Sequence, residues 1–142
     1  MNAFKKIEEG YFIGPQPTEQ DLQEARQQGI KTVIDFRTPS ETEVPNEDLV
    51  KNNGLNYVNV PVDKASPAAQ QIEALDKALQ QNDGPFLLHC ATGTRAAMLL
   101  ALTRAKRHGW STMRTFDEAK SMGYDLENSP VFAAFVTRQT HT

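Results

Sequence analysis

The sequence predicts one α/β domain in which a central, mainly parallel sheet is covered by helices on both faces. Short apolar runs, several of them rich in β-branched residues, alternate with segments of helical periodicity along the 142 residues. No internal repeat, low-complexity tract or linker interrupts this alternation. With 39% hydrophobic residues the chain has the size and balance of a single core, so we expect one domain over residues 1–142.

Four apolar segments are predicted to be strands. Tyr11–Gly14 is short and leads into a Pro-Gln-Pro turn, and Lys31–Phe36 is β-branched enough for a buried strand. Asn56–Val62 is predicted to be another strand, whose ladder ends near Pro61. Phe86–Leu88 is entirely apolar, so we expect it to be the central strand.

Capping residues and glycines delimit the predicted helices. Thr18 and Asp21 have capping-box spacing for a helix that stops at Gly29. Ser66 followed by Pro67 is typical of a helix start. Further helices are expected over 94–107, ended by Gly109, over about 112–122, and over about 130–139 after Ser129.

Composition argues against several classes of function. The 15 basic and 18 acidic residues are scattered, with a formal net charge of -3, so we expect no nucleic-acid partner. The first nine residues lack the apolar stretch of a signal peptide, and no run is long enough to cross a bilayer, so we expect a cytoplasmic protein without a membrane partner. A single cysteine excludes an internal disulfide, and no metal site or other cofactor is implied.

The loop between the central strand and the next helix has the features of an anion site. It lies at the carboxyl end of a parallel strand, where α/β sheets bind ligands. Its small residues allow successive backbone N–H groups to converge, and the helix N-terminus adds about half a positive charge. An arginine five residues after Cys90 can offer a planar fork of donors to two oxygens. The residues expected to bind a tetrahedral anion are Ala91, Thr92, Gly93, Thr94 and Arg95.

The same field favours the thiolate form of Cys90 over the thiol. A lone cysteine is usually a small buried hydrophobic residue. Here, however, an apolar strand, His-Cys, a small loop with glycine, an arginine and a helix occur together. We therefore predict that Cys90 is a nucleophile at neutral pH.

The segment His89–Arg95 resembles the signature of cysteine-dependent protein tyrosine and dual-specificity phosphatases, shortened by one residue. Over most of its length the chain more closely resembles the bacterial phosphatase-like family called beta-lactamase hydrolase-like. The segments that carry this resemblance are Gly14–Thr18, Gly29–Arg37, Glu41, Cys90–Arg95 and Gly109–Ala119. The resemblance implies a dual-specificity-phosphatase-like fold and phosphatase activity.

Two features depart from the ordinary phosphatase pattern. Arg95 follows Cys90 by five positions instead of six, as in the rhodanese sulfurtransferase loop, and the smaller ring offers one fewer inward N–H group. Ala96 stands where the superfamily usually has a hydroxyl residue that eases departure of the thiolate. Thr94 or Thr92 is the hypothetical substitute.

Asp63 is the expected general acid. It follows the strand that ends at Val62, so it emerges at the same sheet edge as Cys90, 27 residues before the cysteine, as in the resembled phosphatases. The alternative is a turn aspartate near Ser66.

Three residues are expected to support the site. His89 should be buried, with its ring facing away from the loop. Arg37 and Glu41 are expected to pair with one another and brace the site, or Arg37 contacts substrate. The acidic stretch from Glu41 to Asp48 is expected to be solvated surface.

The sequence thus predicts a cysteine-dependent phosphatase that acts on a phosphorylated protein or a small phosphate monoester. Two alternatives stay open. A sulfurtransferase with a Cys90 persulfide is supported by the short loop and by Val33–Glu41, which resembles the opening strand of rhodaneses, although their Gly-His-Ile-Pro-Gly segment is absent. A phosphate-binding module with little turnover is supported by the short loop and Ala96. The oligomeric state is left open.

Overall fold

A computed structural model describes residues 3–8, 10–41 and 46–140. Its strands form a five-stranded sheet of order β1-β2-β5-β3-β4. The neighbours β2, β5, β3 and β4 are parallel, and β1 pairs antiparallel with β2 at one edge. The strands are β1 (Lys5–Glu8), β2 (Tyr11–Gly14), β3 (Thr32–Asp35), β4 (Asn56–Asn59) and β5 (Phe86–His89). The mainly parallel sheet with a central Phe86–His89 strand is confirmed. The charged, exposed β1 was not predicted, because it has no apolar run.

Helices cover both faces of the sheet, as predicted. Alternation along β3 and β5 sends Val33 and Leu87 to one face, and Ile34 and Leu88 to the other. The first face packs against α1 and α2, and the second against the remaining helices. The described helices are α1 (Glu19–Gln27), α2 (Asn46–Asn52), α3 (Ala69–Gln81), α4 (Thr94–His108), α5 (Thr112–Ser121) and α6 (Pro130–Gln139). Within the described ranges, no helix is both long and apolar enough to cross a membrane.

The predicted capping signals are correct at α1 and wrong at α3. Both capping-box hydrogen bonds between Thr18 and Asp21 are present. The helix expected to begin at Ser66-Pro67 begins at Ala69, and Ser66 instead closes a turn in which its N–H donates to the Asp63 carbonyl. The α3 start is capped by Gln71, whose Oε1 accepts from the Ala68 N–H at 2.8 Å.

The helix α2 occupies a region that was expected to be only an acidic surface. Glu47 and Asp48 are exposed, in agreement with that expectation, whereas Asn46 and Val50 are buried. Glu43, which belongs to the same acidic stretch, lies outside the described residues. The helix was not predicted because the acidic residues on its exposed side were interpreted as solvated surface.

The parallel register places the functional segments at one edge of the sheet. His89 at the end of β5 pairs with Asp35 at the end of β3, and Asp35 in turn pairs with Asn59 at the end of β4. The segments that follow these three strands therefore emerge side by side. They contain Cys90, Glu41 and Asp63 respectively.

Candidate active site

Cys90 lies at the bottom of the loop that follows β5. The residue is 0% exposed, and its Sγ atom accepts a hydrogen bond from the Gly93 N–H at 3.0 Å. Gly93 has a φ of +100°, a conformation that a side chain would strain. The loop thus curls back on the sulfur, as expected of a backbone cradle for negative charge.

Arg95, in the first turn of α4, is 2% exposed and firmly held. Its Nη1 and Nη2 atoms donate to the two carboxylate oxygens of Glu41 at 2.6 and 2.7 Å, and Nη1 also donates to the Val62 carbonyl at 2.9 Å. Burial lowers the pKa of Arg95, but its hydrogen bonds to Glu41, together with the nearby Cys90 and Glu41, more than offset this, so the net shift is upward.

This pairing fixes which side of the guanidinium is left for a ligand. A guanidinium has five N–H donors. Three of them serve Glu41 and Val62 among the described residues. The remaining two, on Nε and Nη2, lie along one edge of the Arg95 plane. Such an edge suits two oxygens of a tetrahedral anion, and the guanidinium is close enough to Cys90 for the two groups to interact electrostatically.

Glu41 does not pair with Arg37, so the expected pair between them is wrong. A 3-10 turn over Pro39–Glu41 brings the carboxylate back towards the loop, where the Thr38 N–H and hydroxyl donate to Oε1 at 2.9 and 3.0 Å. The hydrogen bonds from Arg95 lower the pKa of Glu41 to about 2. Glu41 is therefore a permanent anion that orients Arg95.

Arg37 instead pairs with Asp35. Its Nε and Nη2 atoms donate to the two oxygens of that carboxylate, both at 3.0 Å, and the Tyr57 hydroxyl donates to Oδ2 at 2.9 Å. Burial raises the pKa of Asp35, but the hydrogen bonds from Arg37 and the nearby His89 lower it by more than burial raises it. The net shift is downward, so the carboxyl stays ionised. The guanidinium of Arg37 is thus occupied by Asp35. That Arg37 braces the site stays our prediction.

His89 is fully buried between this pair and α2. Its Nε2 atom lies 3.2 Å from Asn46 Nδ2, and its Nδ1 atom lies 3.8 Å from Asp35 Oδ1. Burial lowers the pKa of His89 to about 4, so the ring is neutral at pH 7 and the contact with Asp35 is not an ion pair. With Nε2 accepting from Asn46, the proton sits on Nδ1, which has no hydrogen-bond partner among the described residues. An orienting role for His89 stays a prediction.

Asp63 stands next to the site in an exposed turn. Its Oδ1 atom accepts from the Ala65 N–H at 2.9 Å, which is the turn contact considered as the alternative to catalysis. The preceding residue, Val62, is the one whose carbonyl accepts from Arg95. The two interpretations are compatible, because the turn contact engages Oδ1 and the residue directly follows the Val62 carbonyl that binds Arg95.

The two threonines proposed to replace the missing hydroxyl lie close together. Thr92 Oγ1 and Thr94 Oγ1 are 3.1 Å apart in an exposed contact. Ala96 is 0% exposed and packs in the main core, so a polar group at that position would face apolar neighbours. Ala96 therefore supplies no hydroxyl, whereas Thr92 and Thr94 carry hydroxyls within the loop segment itself.

Sequence reasoning missed Tyr124, which lies against the loop. Its hydroxyl donates to the Thr92 carbonyl at 3.2 Å. Tyr124 follows the end of α5. The preceding Gly123 was the local signal that the chain turns there. Throughout the part of the chain that the structure describes, no cluster of three or more His, Cys, Asp or Glu residues could hold a metal ion.

The family model for the beta-lactamase hydrolase-like protein, phosphatase-like domain, matches residues 3–107. The chain belongs to this phosphatase-like family. A beta-lactamase hydrolase-like protein of Xylella fastidiosa (strain Temecula1) is 30% identical over 128 residues, which are 83% of this chain and 28% of that protein. The chain therefore spans less than a third of the length of this curated relative of the phosphatase-like family.

Solved structures confirm the dual-specificity-phosphatase-like fold of this family member. A candidate phosphatase of Neisseria meningitidis is 28% identical, with a TM-score of 0.79 over 98% of this chain and 99% of the other. The core catalytic domain of the PP-IP phosphatase SIW14 of S. cerevisiae has a TM-score of 0.73 over 94% of this chain and 83% of the other. Because the two sequences are only 20% identical, this likeness shows the fold alone. The phosphatase-like family and fold together support a phosphatase.

Proposed function

We propose that this chain hydrolyses phosphate monoesters through a covalent cysteinyl-phosphate on Cys90. One observation carries the proposal. Among the described residues, the bidentate Glu41 pair leaves one two-donor edge of Arg95, whose guanidinium is close enough to Cys90 to interact with it electrostatically, and the Gly93 N–H donates to the Cys90 sulfur. A nucleophile and donors for two equatorial oxygens therefore meet at one point.

In the first step the Cys90 thiolate attacks phosphorus, and the S–P bond forms as the bond to the ester oxygen breaks. Asp63 gives its proton to that leaving oxygen. Arg95 and the loop N–H groups hold the equatorial oxygens of the transferring phosphoryl group. The rim position of Asp63, one residue after the Val62 carbonyl that binds Arg95, supports this assignment.

In the second step water attacks the cysteinyl-phosphate. Asp63 takes a proton from the water, inorganic phosphate leaves, and the thiolate is restored. The Gly93 N–H at 3.0 Å from Sγ stabilises the departing sulfur. A hydroxyl from Thr94 or Thr92 assists in place of the one that Ala96 lacks.

The proposed substrate class is a monoester of a phosphorylated protein or of a small molecule. Because Cys90 is fully buried, the phosphoryl group has to enter the loop to reach the sulfur. The rim carries the exposed acidic Asp63 beside Lys64, so the remainder of the substrate meets a mixed surface.

A sulfurtransferase is the second candidate, favoured by the size of the loop. The Cys90–Arg95 ring has the length of the rhodanese loop, and a terminal sulfur on Cys90 would meet the same N–H and guanidinium donors. In that reaction the Cys90 thiolate takes the outer sulfur of thiosulfate, releasing sulfite, and cyanide then removes it as thiocyanate.

The test compares wild type with Cys90→Ser, a nearly isosteric change, on an aryl phosphate and on thiosulfate with cyanide. We expect phosphate release by the wild type that is lost in the variant, and no thiocyanate. Thiocyanate formation without phosphate release would support the sulfurtransferase instead. No turnover in either assay, with vanadate still bound, would leave a phosphate-binding module and contradict the proposal.

A further inference from the structure

Tyr124 contacts the Cys90 loop from outside the segment that contains the proposed nucleophile. We propose that Tyr124 is a positioning residue, whose hydroxyl fixes the Thr92–Gly93 peptide so that the Gly93 N–H faces the Cys90 sulfur. The inference rests on the proposed role of Cys90 as a nucleophile.

A single peptide unit is held at both of its ends. The carbonyl oxygen of Thr92 and the N–H of Gly93 belong to the same trans peptide, so they point in opposite directions. The Tyr124 hydroxyl donates to that oxygen at 3.2 Å, and the N–H donates to Cys90 Sγ at 3.0 Å. Holding the carbonyl outward therefore directs the N–H inward.

This peptide needs an external restraint because glycine follows it. Gly93 can adopt a positive or a negative φ at similar cost, so rotation of the preceding peptide plane is not resisted by a side chain. Gly93 is also the N-cap of α4, without a side-chain capping bond. A rotated plane would turn the Thr92 carbonyl dipole towards the sulfur and oppose the thiolate.

The Tyr124 ring also closes the space into which the loop could move. A Cβ atom at Gly93 would lie 2.1 Å from the Tyr124 hydroxyl oxygen and 2.7 Å from the adjacent ring carbon. The ring therefore packs directly on the Gly93 α-carbon. Burial, together with the charge of Cys90, raises the pKa of Tyr124, so its hydroxyl keeps the proton that it donates.

The backbone of Tyr124 is itself anchored. Gly123 has a φ of +102°, and the N–H groups of Gly123 and Tyr124 donate to the Lys120 and Ala119 carbonyls at 2.9 and 3.0 Å. This is a glycine-terminated helix end, which fixes the exit direction of the chain. The end of α5 thus delivers the hydroxyl to the loop as part of the rigid fold.

The experiment measures alkylation of Cys90 by iodoacetamide in wild type and in Tyr124→Phe. The variant keeps the ring and removes only the hydroxyl. The matched control is Tyr11→Phe, because Tyr11 stacks on Phe86 at the opposite end of the parallel strands. Since the chain has one cysteine, the mass of the proteolytic peptide that contains Cys90 reports the reaction.

We expect Tyr124→Phe to slow alkylation about 3- to 10-fold at about pH 6, and to leave the rate at about pH 10 unchanged. At low pH the rate depends on how much of Cys90 is thiolate, and a misdirected Gly93 N–H would stabilise the thiolate less. The rate at high pH reports access to the sulfur alone. Unchanged rates at both pH values would overturn the inference. Equal slowing at both would also overturn it, since that result indicates altered access.

Alkylation needs no phosphate substrate, so this test is separate from that of the proposed function. If the wild type releases no phosphate and Tyr124→Phe still slows alkylation selectively at low pH, the proposed function fails and the positioning role stands. If phosphate release depends on Cys90 and Tyr124→Phe alkylates as wild type does, only the positioning role fails.

Discussion

Glu41 and Arg95 form a bidentate ion pair across 54 residues of sequence, with both contacts at 2.7 Å or less. Glu41 follows β3 and Arg95 lies in the first turn of α4, directly after β5 and its loop, so the pair ties the ends of two neighbouring strands together at the candidate site. The Val62 carbonyl, after β4, completes the clamp at 2.9 Å. The guanidinium is thereby presented to a ligand in one orientation before any ligand arrives.

Replacing Glu41 tests whether that orientation matters. We expect Glu41→Gln to lower kcat/KM for an aryl phosphate by about 10- to 100-fold, because the amide cannot accept both guanidinium N–H groups. Glu47→Gln is the control, since Glu47 is an exposed residue that pairs with Lys51 on α2. Equal values of kcat/KM in the two variants would show that Arg95 needs no clamp.

The same pair has a defined dependence on pH. The folded pKa of Glu41, about 2, lies below the unfolded value of 4.5, so the stability from this pair is fully present above pH 4.5 and is lost only as pH falls towards 2. Loss of activity between pH 7 and pH 5 would therefore have another origin.

The pH dependence of activity tests the role of Asp63. A general acid must be protonated in the first step, so the rate falls on the basic side once the acid is ionised. We expect Asp63→Asn to lower kcat and to remove this basic limb for a substrate with a poor leaving group. An unchanged pH profile would assign the proton to another residue, and Asp125→Asn, at the exposed residue after Tyr124, is the control.

The loop hydroxyls are tested through the second step. We expect Thr94→Ala to slow hydrolysis of the cysteinyl-phosphate more than its formation, because the departing thiolate loses a donor. In rapid-quench experiments this appears as a larger burst followed by a slower steady state. Thr94→Ser, which keeps the hydroxyl, should behave as wild type. Equal slowing of both steps would count against the assignment.

His89 predicts a loss of stability in mild acid. Because burial lowers its pKa to about 4, below the unfolded value of 6.5, its contribution is fully present above pH 6.5 and is lost as pH falls from 6.5 towards 4. We expect the urea midpoint to fall over this range in wild type and in His108→Gln, an exposed position. The fall should be smaller in His89→Gln, and an identical pH dependence in all three proteins would refute the burial argument.

The sequence predicted the parts of the fold that depend on local pattern. The helix start at Thr18, the central strand before Cys90 and the curled loop of small residues after it each follow from residues within a few positions. The predicted start of α3 at Ser66 was wrong, because Ser66 belongs to a turn closed by its hydrogen bond to the Asp63 carbonyl and the helix begins at Ala69. Local capping rules cannot detect such a competing turn.

Partners that are distant in sequence were not predictable in the same way. Arg37 and Glu41 were close enough in sequence to suggest a pair, but Asp35 is nearer to Arg37 and a 3-10 turn directs Glu41 to Arg95. Tyr124 comes from an element that follows the loop by about thirty residues. Its contact depends on how α5 packs against α4, which periodicity alone does not determine.

The most direct test of the central claim is to trap the covalent intermediate. Wild-type protein is mixed with an aryl phosphate, quenched within the first turnover and digested. The masses of the peptides are then measured by mass spectrometry. Because Cys90 is the only cysteine, a phosphoryl group found on sulfur has one possible position. We predict that the peptide containing Cys90 gains one phosphoryl group, and that Cys90→Ser gains none. Phosphate release without any phosphoryl group on the Cys90 peptide, under conditions that show a burst, would contradict the proposed mechanism.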